Sequence, residues 1–174
     1  MILVTGATGY VGRRVVEAFR SAGYPVRALV HTPSRASVLS AHDAQIVHGD
    51  VLDPESLSRA CDGVEAVIHL VAVLHKGHGS TFQRVNYEGT RSVLEAAASA
   101  GVKRFIYPGV LGASSDPAVP YLYSRWMGEQ EVIRSPIPHT IVRFSAGFGE
   151  GDEFFTALAA QVKLSPLVPV AGDG

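Results

Sequence analysis

Ile2-Leu3-Val4-Thr5-Gly6-Ala7-Thr8-Gly9-Tyr10-Val11-Gly12 opens the chain. Its first four residues make a short apolar strand. From Val11 onward the period changes to helical, with Val11, Val15, Val16 and Phe19 on one face and Arg13, Arg14, Glu17 and Arg20 on the other. A glycine loop between a buried strand and a helix start aims unpaired backbone N–H groups, and the positive helix end, at an anion. Gly6 permits the sharp turn, Gly9 lets the backbone approach a diphosphate, and Gly12 lets the helix pack against the strand. The phosphate cradle predicted here is Gly6, Thr8, Gly9, Tyr10, Val11 and Gly12. The spacing is GxxGxxG, one residue longer in its first half than the GxGxxG fingerprint.

Strands and helices alternate outward from this loop. Residues 25–30 read as a second strand, 34–40 as a short helix, and 44–48 as a third strand. Asp53 and Pro54 have the chemistry of a cap and a first helical position. Residues 66–70 read as a fourth strand, a buried run that is apolar apart from His69. Residues 81–100 carry the longest helical pattern, closed by Gly101. A fifth strand at 103–107, a helix at 121–133, a sixth strand at 139–144 and a last helix at 152–162 complete the pattern. Six apolar strands separated by helices predict a doubly wound parallel sheet, a three-layer α/β/α Rossmann arrangement over 1–174. The expected strand order is 3-2-1-4-5-6, with the ligand crevice at the carboxyl ends of strands one and four.

Composition narrows the partners. The 174 residues are 47% hydrophobic, enough for a core, and the net charge of −1 gives no electrostatic footprint for nucleic acid. Cys61 is the sole cysteine, so no intrachain disulfide forms and a reducing compartment fits. With the loop starting at residue 6 there is no room for a leader, and no apolar run reaches membrane-spanning length. The expected location is cytoplasmic, with homodimerisation or peripheral attachment to a membrane complex left open. The segment 166–174 stops at a turn, which predicts that a further segment is missing from this chain.

Five motifs now stand in order: the glycine loop, His48-Gly49-Asp50-Val51, Asn86-Tyr87-Glu88-Gly89-Thr90, Tyr121-Leu122-Tyr123-Ser124-Arg125, and Phe148-Gly149-Glu150-Gly151-Asp152. Together they resemble the extended and atypical short-chain dehydrogenase/reductases. The similarity is greatest to the branch holding the nucleotide-binding accessory subunit of respiratory complex I and the NmrA-like proteins. The resemblance implies an NAD(P) cofactor, an unidentified small-molecule substrate, and a C-terminal substrate domain absent from this sequence. It implies that Asp50 accepts from the adenine amino group beside Val51, and that Leu70, Val71 and Ala72 run along the cofactor's ribose and pyrophosphate. It gives Asn86 the role of stabilising a bend beside the active site.

At the end of strand two a carboxylate would select the 2′-hydroxyl of NAD and a cation the 2′-phosphate of NADP. Here His31 and Arg35 follow the strand and no carboxylate does, so the expected cofactor is NADP, with NAD the alternative. The superfamily's Tyr-x-x-x-Lys pair, neighbours on a helix face, is represented by Tyr121 and Arg125. By resemblance Tyr121 exchanges a proton with substrate oxygen while Arg125 holds the nicotinamide ribose; Arg is not a neutral replacement for Lys.

Two further departures stand out. No Ser or Thr follows strand five, and Ser114 and Ser115 come only later, in a loop. Phe144 stands after Arg143 where relatives usually have Pro. A lost oxyanion donor typically costs about 100-fold in rate. The residues therefore support an oxidoreductase or epimerase-like enzyme. The alternative is a non-catalytic dinucleotide-binding protein, acting as redox sensor or stabilising subunit. His75 and His78 have the spacing of metal ligands but no third partner nearby, so no metal is expected.

Overall fold

In a computed structural model of the chain, described for residues 1–74, 77, 81–152 and 154–164, all six expected strands form one sheet. They are β1 (Ile2–Thr5), β2 (Val26–Val30), β3 (Gln45–His48), β4 (Ala66–His69), β5 (Arg104–Val110) and β6 (His139–Phe144). Every described pairing is parallel, and the order is β3-β2-β1-β4-β5-β6. The doubly wound topology predicted from the sequence is the one observed. The order reverses between β1 and β4, and Thr5 of β1 is in register with Leu29 of β2 and His69 of β4.

Burial on both faces explains the apolar runs. Successive β1 residues point to opposite sides: Leu3 packs with Leu57, Val93 and Phe105, and Val4 with Val16, Ala28 and Leu39. The first layer is carried by α2 (Pro54–Cys61), α3 (Gly89–Ser99) and α4 (Pro120–Arg134). The second is carried by α1 (Tyr10–Ser21) and a 3₁₀ helix, Pro33–His42. Asp53 caps α2, its side chain accepting from the Glu55 N–H at 3.1 Å, and Pro54 takes the first helical position as expected.

Three elements differ from the sequence reading. β5 continues through Pro108 to Val110. Its pairing with β4 ends at Ile106, so Pro108 meets a neighbouring strand on one side only, where a missing N–H is tolerated. The helix predicted over 81–100 is two segments, a π-helical turn at Gln83–Glu88 running into α3. The last helix, α5, spans Phe154–Leu164.

The chain packs as two compact units, Met1–Phe144 and Ser145–Gly174. The first holds the whole sheet. In the second, Asp152 accepts from the Phe155 N–H at 2.6 Å, and Phe155 meets Phe148 and Phe154 edge-on. Among the described residues no helix is long and apolar enough to cross a membrane.

Candidate active site

The glycine loop is built by close approach. Gly6 has φ +71°, and a Cβ there would lie 2.9 Å from the Leu70 carbonyl carbon. At Gly12 a Cβ would lie 2.1 Å from the Gly6 carbonyl oxygen and under 3 Å from Ala7 backbone, so β1 and α1 meet with no space for a side chain. Gly9 differs. Its backbone is extended (φ −77°, ψ 174°), it caps α1 with no side-chain acceptor, and a Cβ there would meet only the Gly6 carbonyl oxygen, at 3.3 Å. The first-turn amides of α1 thus lack a side-chain cap beside open space, which suits a diphosphate.

That open space is a hollow of about 340 Å³. Gly6, Thr8 and Gly9 line it from the turn after β1, His31, Arg35, Asp50 and Val51 from the side of β2 and β3, and Leu70, Val71 and Ala72 from the side of β4. The fold thus brings ten of the sequence-predicted residues to one cavity. Gly12 supports it from beneath. Tyr10 and Val11 contribute first-turn backbone, and the Tyr10 ring lies under the Arg14 guanidinium at 5.3 Å. A larger groove, about 640 Å³ between α2 and α3, contains none of the predicted residues.

Asp50 is held by contacts the sequence did not reveal. Its Oδ1 accepts from the Leu52 N–H at 2.9 Å, and its own N–H donates to Ser56 Oγ at 3.1 Å. The Ser56 hydroxyl is buried against Gly49, where any Cβ would come within 2.5 Å of it or its carbon. Asp50 Oδ2 remains, 3.3 Å from His31 Nε2.

Asn86 connects this cavity to the helix bearing Tyr121. Its Oδ1 accepts from the Val73 N–H at 2.8 Å, and its Nδ2 donates to the Val73 carbonyl and to Ser124 Oγ. Ser124 in turn donates to the Tyr121 carbonyl at 2.7 Å. Val73 lines the hollow and Tyr121 sits in the first turn of α4, so one buried amide fixes both. The π-helical turn is where Asn86 makes these bonds. Gly128 completes the seating: a Cβ there would lie 2.6 Å from Tyr107 Oη and 2.7 Å from the Asn86 carbonyl oxygen.

Tyr121 is half-buried, its ring edge-on to Phe82 at 5.7 Å. Arg125, one turn later, is 3% exposed. Its guanidinium lies over the Tyr107 ring at 4.8 Å and donates to the Pro108 carbonyl. The sequence reading places this cation beside the ribose, whereas its observed hydrogen bond runs into the protein, to β5. Glu129, a further turn along and buried, accepts from Arg143 through both carboxylate oxygens.

The hydroxyl missing after the strand expected at 103–107, which the structure extends to Val110 as β5, has a steric counterpart. A Cβ at Gly109 would lie 2.7 Å from Arg143 Cγ and 3.0 Å from Glu129 Oε2, so the ion pair fills the side-chain space. Ser114 Oγ accepts from Asp116 N–H within its own loop.

Under the sheet's switch point lies a relay of buried groups. Thr90 donates its hydroxyl proton to the Asn86 carbonyl at 2.8 Å, so its oxygen accepts from His69 Nε2–H at 3.1 Å. That assigns the tautomer and leaves His69 Nδ1 to accept from Thr5 Oγ1 at 2.7 Å. Complete burial, with the Arg125 charge second, pushes the His69 pKa down to about 3, so the ring is neutral. Burial likewise pushes the Cys61 thiol up to about 11 despite Arg27, consistent with a core thiol. His75 and His78 lie outside the described residues.

Residues 6–153 match the model of a family described as NAD(P)H-binding. The chain belongs to that family. A ceramide reductase of Caulobacter vibrioides is 33% identical over 170 residues, which cover 98% of this chain and 53% of that protein. The photosystem II assembly factor Ycf39 of Synechocystis sp. is 31% identical over 150 residues, 86% of this chain and 45% of that protein. Among solved structures, an NADPH-dependent quinone oxidoreductase from Escherichia coli complexed with NADPH is 29% identical with a TM-score of 0.72. The match covers 94% of this chain and 54% of that one. The chain therefore spans about half the length of the curated relatives it matches. The resemblance to atypical short-chain dehydrogenase/reductases stands, and the relatives named include both a reductase and an assembly factor.

Proposed function

We propose that this chain is the dinucleotide-binding part of an NADPH-dependent reductase. The cavity carries this reading: uncapped amides at the turn after β1, and His31 with Arg35 on the side of β2 and β3, where no carboxylate other than Asp50 is present. A dinucleotide laid along it would place its diphosphate on the α1 amides, its adenine amino group at Asp50 Oδ2 and its 2′-phosphate toward His31 and Arg35. A bound nicotinamide supplies the hydride. The chain's own part is to hold the cofactor's ribose and pyrophosphate along Leu70–Ala72 and to deliver one proton from the Tyr121 phenol to the acceptor oxygen. Arg125 acts here as a positioning residue, fixing α4 on β5. With no hydroxyl at Pro108, Gly109 or Val110, where the resemblance expects a second donor, an acceptor that spreads its own negative charge, such as a quinone, suits the site better than a simple ketone. The similarity to the quinone oxidoreductase supports this acceptor class.

The test is turnover with NADPH across a panel of quinones and carbonyls. Tyr121→Phe should lower kcat about 100-fold, the usual worth of a general acid, with dinucleotide Kd unchanged. Equal turnover in the variant would remove Tyr121 from the mechanism. The second reading, a dinucleotide-binding assembly or sensing protein, is favoured by the Ycf39 similarity and the filled space at Gly109. Tight binding with no turnover on any acceptor would select it.

A further inference from the structure

Tyr121 sits on a helix end that its own sequence leaves loose. Val119 caps α4 with no side-chain hydrogen bond, and Pro120, at the first helical position, has no N–H. Asp116, the one carboxylate of the loop before it, accepts from the Ala118 N–H at 2.9 Å and not from the helix. The backbone ladder begins with the Tyr123 N–H on the carbonyl of the exposed Val119, at 3.0 Å. A helix end built this way frays, and Tyr121 lies within its first turn.

Ser124 supplies a hold from inside the helix. The Val73 N–H donates to Asn86 Oδ1, which orients the amide so that Nδ2 donates. One Nδ2 proton goes to the Val73 carbonyl at 3.2 Å and the other to Ser124 Oγ at 3.1 Å. Ser124 then gives its own proton to the Tyr121 carbonyl at 2.7 Å. Asn86 and Ser124 are both buried, so no water competes for these bonds. We infer that Ser124 is a positioning residue for the proton donor, fastening the Tyr121 backbone through Asn86 to the Val73 segment that walls the hollow. This rests on the proton-donor role proposed for Tyr121. Alanine at this position keeps the helix ladder but releases the Tyr121 carbonyl from Asn86. A displacement of about 1 Å in a reacting group costs up to about 100-fold in rate.

Steady-state kinetics with NADPH and a quinone test this on the full chain, in the wild type, Ser124→Ala, Tyr121→Phe and the double variant. Ser124→Ala should lower kcat about tenfold, with quinone KM and NADPH Kd within about twofold of wild type. In the Tyr121→Phe background the same change should cost nothing further, because no phenol proton remains to be placed. Amide hydrogen exchange reads the hold without any chemistry: the Tyr123 N–H should exchange faster in Ser124→Ala, while the amides of β1 keep their protection. Thermal melting should fall by only a few degrees, since one buried hydroxyl is lost. An unchanged kcat, an equal loss in both backgrounds, or Tyr123 exchange as slow as in the wild type would overturn the positioning role and leave the reductase standing. Wild-type protein that turns over no acceptor would overturn the proton-donor reading and the positioning role together.

Discussion

Gly9→Val should abolish dinucleotide binding while the protein still folds. A Cβ at Gly9 touches only the Gly6 carbonyl oxygen, at 3.3 Å, and the residue's extended backbone suits any L-amino acid. The Gly6 carbonyl must give by a few tenths of an ångström and Val is a poorer helix cap, so the fold should lose about 1–2 kcal/mol. The new methyls would occupy the space in front of the α1 amides, where the diphosphate is expected. Calorimetry should show NADPH affinity reduced at least about 100-fold, as expected when charge-assisted hydrogen bonds to a buried diphosphate are blocked. Thermal melting should stay within a few degrees of wild type. Gly12→Ala is the contrasting variant. Its Cβ would lie 2.1 Å from a backbone oxygen that cannot move aside, so this variant should lose stability outright by several kcal/mol. Retained affinity in Gly9→Val would mean that the diphosphate lies elsewhere.

The second large effect is acid sensitivity from His69. Its folded pKa of about 3 lies well below its ordinary value of 6.5. Between those values the unfolded chain binds a proton that the folded chain refuses. Stability therefore rises with pH across that window, is fully present above pH 6.5, and is lost as pH falls toward 3. The slope from this one group approaches about 1.4 kcal/mol per pH unit in mid-window. Urea unfolding at pH 7 and pH 5 should differ by roughly 2 kcal/mol, with the acid sample weaker. NMR of the imidazole supplies an independent check: the ring should remain the neutral Nε2–H tautomer at pH 5. A ring that titrates near 6.5 would refute the burial argument. The source of the shift is burial first and the Arg125 charge second, and both ring nitrogens are already engaged, by Thr5 and Thr90.

The parts of this molecule legible in the sequence are those with a local signature. Strand order followed from alternation of apolar runs and helical periods, and the cavity lining followed from glycine spacing and from what stands after β2 and β3. The rest depends on partners distant in sequence. Thr5 and His69 look like strand residues and are 64 positions apart, so their hydrogen bond has no local trace. Ser56 reads as an ordinary helix residue, yet it holds the backbone of Asp50. Arg125 has the position of a ribose-binding cation, and only packing against Tyr107 and Pro108 shows where its guanidinium goes. The π-helical turn was missed for a related reason: its backbone accommodates Asn86, whose partner Val73 lies 13 residues earlier. Pro108 hid the far end of β5, because proline counts against a strand until one side of the ladder is known to end.

A hydrogen atom, standing where position 128 could carry a side chain, sets how far α4 lies from the turn that holds Asn86. Tyr121 rides on one of these two pieces, and Val73, in the wall of the hollow, hangs from the other. In the reductase proposed above, their separation would act as a calliper on the proton's reach. Enlarging that residue would alter reach without altering charge, so selection acting there could retune which acceptors fit while leaving every polar group in place.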